Sequence, residues 1–160
     1  MKKNGFSIVE MILYMGFLSA FLLVLTRILS SSLEVQTESE ATTAVQQDGR
    51  YILTRLAYDI ENSDIITTPS GAGQTASSLV FTIVPTTYTY TLFNGNLTRR
   101  DDIDTNNLNS ANTTVTNFSV TRREGVGTKP TLSILLTVES TAQKITGVQR
   151  VSIMPAIEEQ

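Results

Sequence analysis

The sequence contains no cysteine, histidine or tryptophan. Without thiolates or imidazoles, Cys- or His-based nucleophilic catalysis and the common zinc ligand sets are excluded together. No disulfide can staple the fold, although an exported domain can do without one. Positive charge is also scarce: 12 Lys and Arg against 15 Asp and Glu give a net charge of −3. There is thus no general basic field to hold nucleic acid. At 160 residues with 41% hydrophobic positions, the chain has room for one domain with a modest core plus one further element.

Apolar residues concentrate at the start. From Phe6 to Leu25 the run FSIVEMILYMGFLSAFLLVL has one charge, Glu10, and no proline. As a helix at about 1.5 Å per residue it is roughly 30 Å long, the thickness of a bilayer's hydrocarbon core. Lys2 and Lys3 precede the run, whereas Arg27 alone follows closely before Glu34, Glu38 and Glu40. That asymmetry favours a cytoplasmic N-terminus and export of the remainder. An ordinary cleaved secretory signal fits less well, because its apolar region is shorter and Ser30-Ser31-Ser32 is a mediocre cleavage site. A plain signal anchor leaves Glu10 without a reason, since a carboxylate in hydrocarbon costs about 2.5–3.5 kcal/mol on insertion scales.

The stretch Lys2-Lys3-Asn4-Gly5-Phe6-Ser7-Ile8-Val9-Glu10 resembles the N-terminal signal of type IV pilins and type II secretion pseudopilins. The resemblance implies that Gly5 ends a leader, that a prepilin peptidase cuts before Phe6, and that Phe6 becomes the N-methylated terminus. It also implies that Glu10 guides filament assembly by meeting the amino terminus of a neighbouring subunit. One departure is that many family members carry a helix-bending proline later in the apolar segment, where this chain has Arg27.

After Leu29 the chain stays compatible with helix to about Ser63, but its pattern becomes amphipathic. Val45, Ile52, Leu53, Leu56 and Ile60 recur on one helical face. Pro69 and the Ser70-Gly71-Ala72-Gly73 loop are read as ending this region. From Ile65 onward Thr, Val and Ile at alternating positions favour strands. Asn94-Gly95 signals a two-residue hairpin turn that pairs Leu92 with Leu97, Thr91 with Thr98 and Tyr90 with Arg99. Asp101 to Asn112 reads as a polar insertion. Strands are predicted over 115–122, 132–138 and 147–153.

The predicted fold is α+β: a long N-terminal helix packed on one antiparallel β-sheet of five to six strands. It divides into a leader (1–5), a transmembrane or filament-core helix (6–29), an amphipathic continuation (30–64) and a sheet domain (65–160). The family fold implied by the resemblance agrees. The hairpin around Asn94-Gly95 followed by late strands is also similar to J-type minor pseudopilins and W-type minor pilins.

Asp102, Asp104 and Asn106 have the spacing of a calcium loop's first ligands, yet Asn107 and Thr113 stand where such a loop needs Gly and Glu, so a solvated turn is preferred. Arg99-Arg100 and Arg122-Arg123 are candidate phosphate contacts for nucleic acid; solvation, or pairing with Asp101 and Glu124, is the simpler reading. The sequons at Asn96, Asn112 and Asn117 carry no weight. Lys129 and Lys144 are the bases left for a serine nucleophile, and no motif supports such a scheme.

The sequence therefore implies a structural, non-enzymatic subunit without cofactor. Its implied partners are the prepilin peptidase, other pilin or pseudopilin subunits, the inner-membrane assembly machinery and membrane lipid. It would be a single-pass protein of the cytoplasmic membrane before assembly and part of a periplasmic or cell-surface filament afterwards. The alternative is a membrane-anchored exported binding module that never polymerises.

Overall fold

The computed structural model describes residues 7–124, 130–142 and 145–153. The leader, the Gly5-Phe6 junction, Lys129 and Lys144 lie outside the described residues. Among the described residues one helix, α1 (Ile8–Glu61), precedes nine strands. The chain divides into two compact units, residues 1–39 and 40–160.

In the first unit every described residue of α1 is exposed. Large apolar side chains cover it on all sides from Ile8 to Leu29, and Leu33 and Val35 continue them among Ser, Thr, Gln and Glu up to residue 39. It has no core of its own. The helix is long and apolar enough to cross a membrane.

In the second unit α1 buries Ala41, Val45, Gly49, Ile52, Leu56, Asp59 and Ile60, a spacing of three and four that marks one face. The predicted face is thus observed. The helix ends at Glu61, two residues before the predicted limit and well short of Pro69. Asn62 and Ser63 terminate it: the Asn62 amide donates to the Tyr58 carbonyl at 2.6 Å, and the Ser63 hydroxyl to the Ile60 carbonyl at 2.7 Å. The Ser63 hydroxyl occupies the Ile60 carbonyl that the next helical N–H, of Asp64, would have used, and that N–H donates instead to the Thr82 carbonyl at 2.9 Å.

The class is α+β, but two antiparallel sheets replace the single predicted one. The first has the order β1 (Ile65–Thr68), β3 (Ser78–Ile83), β4 (Thr86–Phe93), β5 (Asn96–Arg100), β6 (Thr105–Asn107). The second runs β2 (Thr75–Ala76), β7 (Thr113–Glu124), β8 (Pro130–Ser140), β9 (Thr146–Ile153). The β4–β5 hairpin has the predicted register, Leu92↔Leu97, Thr91↔Thr98 and Tyr90↔Arg99. Asn94 and Gly95 both have positive φ, 48° and 79°, as a type I′ turn requires.

After β6 the chain passes from the first sheet to β7 of the second, to which β2 also belongs, through the segment read as a plain polar insertion. Asn109 is buried there. Its Oδ1 accepts from the Leu97 N–H at 2.9 Å, while its Nδ2 donates to the Thr113 carbonyl at 2.9 Å. One side-chain amide therefore satisfies backbone groups of β5 and β7 where the chain changes sheet. Asp48 on α1 holds the same connection, accepting from the Ser110 N–H at 2.8 Å and from the Ser110 and Thr113 hydroxyls.

One hydrophobic cluster collects Val45, Ile52, Leu56 and Ile60 of α1 with Leu79, Phe81, Tyr90 and Leu97 of the first sheet and Phe118, Val120, Ile134 and Leu136 of the second. Gly147 on β9 permits a close approach to the helix. A Cβ there would lie 2.6 Å from Cγ1 of Val45.

Candidate functional site

The sequence directs attention to the start of α1. Glu10 lies in its first turn and is exposed. Acid at this end is favoured by the helix dipole. The Tyr14 hydroxyl, one turn on, donates to Glu10 Oε1 over 3.5 Å, a long bond that leaves most of the carboxylate's accepting capacity open. Around Glu10 are Val9, Met11, Leu13 and Tyr14, each more than half exposed. The arrangement presents one carboxylate within a broad apolar surface. Further along, the hydroxyls of Ser19, Thr26 and Thr37 each donate to the carbonyl four residues back at 2.6–2.8 Å, so these polar groups are satisfied within the helix.

The second unit holds a buried ionic network that the sequence reading missed. Asp59 is 1% exposed. Its Oδ2 accepts from the Tyr90 hydroxyl at 2.6 Å and from Arg99 Nε at 2.8 Å, and Arg55 Nε lies 3.4 Å from Oδ1. The Arg99 guanidinium stacks 4.2 Å above the Tyr88 ring. Burial raises the Tyr90 phenol's pKa, with the hydrogen bond to Asp59 and that group's charge adding to the rise. Burial disfavours the Arg99 charge, but its bond to Asp59 and the Asp59 charge prevail and raise its pKa. Among the described residues no buried side-chain nitrogen or oxygen lacks a partner. The network therefore joins α1 to β4 and β5 as a complete set of bonds. The signal was present in the predicted register: Arg99 lies on the same sheet face as Leu97, and a cation on a core-facing side needs a buried anion.

Hydrogen bonds within the turn engage Asp104 and Asn106 of the calcium candidate and the neighbouring Asp101. Asp101 Oδ1 accepts from the N–H groups of Ile103 and Asp104 at 2.9 and 2.7 Å. The Asp104 and Ile103 N–H groups, against a small desolvation and with help from Arg99, hold the Asp101 carboxyl below its ordinary range. Asn106 turns its amide nitrogen toward Asp104 Oδ2 at 3.4 Å, presenting a donor where a cation needs an oxygen. Asp102 is exposed. Among the described residues no group of three acidic side chains could hold a metal ion.

The arginine doublets do not form patches, because successive strand residues face opposite sides. Arg99 points into the network while Arg100 is exposed; Arg122 approaches the carbonyls of Ile66 and Pro69 at 3.4 and 3.3 Å while Arg123 is exposed. Each doublet leaves one outward cation. No protein family model, characterised protein or solved structure matches this chain.

Proposed function

We propose that the chain is a subunit, of the minor class, of a type IV pilus-like or type II secretion pseudopilus filament. It is made as a membrane-anchored precursor and cut by a prepilin peptidase between Gly5 and Phe6. The carrying observation is that a single carboxylate, Glu10, follows a Lys2-Lys3-Asn4-Gly5-Phe6 leader and opens an apolar helix without a core of its own.

Each part has a physical task. The lysines keep the leader on the cytoplasmic side, and Gly5 offers the peptidase a backbone free of side-chain obstruction. The apolar helix lies in lipid until assembly and between subunits afterwards. Glu10 is stable in such surroundings when a cation meets it, and the new amino group of Phe6 on a neighbour supplies one. The second unit carries its own core and faces outward from the filament.

Intact-mass measurement in cells with and without a prepilin peptidase tests this reading. The mature chain should begin at Phe6, without Lys2 and Lys3, and carry an added methyl group. Retention of Met1, or a cut near Ser32, contradicts it. A full-length chain that stays monomeric would favour the membrane-anchored binding module.

A further inference from the structure

The face of the first sheet that turns away from the core is almost without charge. Side chains alternate along a strand, and Leu79, Phe81, Tyr90 and Leu97 are buried, so their sequence neighbours point outward. Among the outward positions on β3 to β6, Arg100 is the one charged residue. On β4 the outward line is Thr87, Thr89, Thr91 and Phe93, with about 6.8 Å between successive members and about 20 Å from end to end. The Thr91 row continues across the sheet, with Thr98 on β5 opposite Thr91 and Asn107 on β6 opposite Thr98. Phe93 ends the line beside the Asn94-Gly95 turn and is 67% exposed.

Hydroxyls and an aromatic ring are thereby placed side by side. The Thr91 and Thr98 hydroxyls lie 3.1 Å apart, and the Thr98 hydroxyl donates to the Thr91 carbonyl at 3.0 Å. Thr91 then donates to Thr98, and lone pairs on both oxygens remain to accept from a ligand. The exposed Asn107 side chain adds donors as well as an acceptor, and Phe93 adds an apolar ring face. A ligand that matches this set carries hydroxyls, which both donate and accept, around a ring whose C–H face is apolar. Sugars have that chemistry. Nucleic acid needs more cations than Arg100 supplies, and protein contacts seldom draw their energy from Thr and Ser.

We propose that the outward face of the first sheet binds a neutral oligosaccharide, laid along β4 with one sugar ring against Phe93 and its hydroxyls bonded to Thr91, Thr98 and Asn107. Charge matches on the two sides of this contact: a face with a single cation meets a ligand with no charge to desolvate. An acidic sugar paired with Arg100 is the competing ligand, and the test separates the two. The face belongs to the second unit, so the inference stands apart from the filament reading.

The full-length chain in lipid nanodiscs is applied to an array of neutral oligosaccharides of increasing length and of their uronic-acid counterparts. Binding to at least one neutral series is expected, tightening with length until the line on β4 is filled and unchanged by salt. Phe93→Ala should weaken it about tenfold. Thr91→Val with Thr98→Val removes both hydroxyls while keeping a β-branched shape, and should weaken it about as much. Circular dichroism and thermal melting check that both variants keep the fold. Failure of every neutral series to bind overturns the proposal, as does binding that both variants retain. Binding confined to the uronic-acid series and lost in Arg100→Gln overturns the neutral ligand. None of these outcomes touches the filament reading.

Discussion

The two units of this chain use the same helix in opposite ways. Between residues 8 and 29 the helix is apolar on nearly every side, and as far as 39 it buries nothing, whereas between 41 and 60 it buries a residue every three or four positions. A stripe of apolar residues is satisfied by one sheet-bearing domain; apolar residues all round need an environment on all sides. So broad an apolar surface marks a site of contact with lipid or other chains. Polar groups differ in parallel. In the second unit the buried carboxylate Asp59 has its cations in the same chain, while Glu10 in the first meets, among the described residues, the Tyr14 hydroxyl over a long bond and no cation.

The largest effect that would test this contrast lies in the second unit. Asp59→Ala leaves Arg99 and the Tyr90 hydroxyl without their shared acceptor, and should destabilise the domain by about 3–5 kcal/mol in chemical unfolding. A loss below about 1 kcal/mol would mean that the network is not the tie it is described as. At the small end, a chain beginning at Glu40 should fold without the first unit. It should give mixed helix and strand circular dichroism and a cooperative melt within about 4 °C of the full chain's in detergent. A soluble but disordered product would erase the distinction between the units.

The sequence disclosed what depends on local pattern. The Asn94-Gly95 turn fixes its hairpin register through the backbone signs that those two residues tolerate, and the buried helix face follows from 3.6-residue periodicity. What it hid depends on long-range bonding. Asn109 lies in a run of polar residues with nothing local to mark it as buried, yet its amide links β5 to β7 and accompanies the change from one sheet to two. Asp59 interrupts an apolar face and looks like its edge until Arg99 is brought across from β5. The proposed processing and assembly residues are the converse case: Gly5, Phe6 and Glu10 are conspicuous in the sequence, and the partners proposed for them lie outside the chain.

Glu10 gives the most direct test of the filament account. The ratio of this protein in sheared filaments to that in membranes should be measured for wild type and Glu10→Ala, with processing checked by mass. The substitution should leave cleavage and membrane insertion intact, since it removes a charge that is costly in lipid, while lowering the filament-to-membrane ratio about tenfold or more through loss of the intersubunit charge pair. Equal ratios for the two proteins would contradict the account.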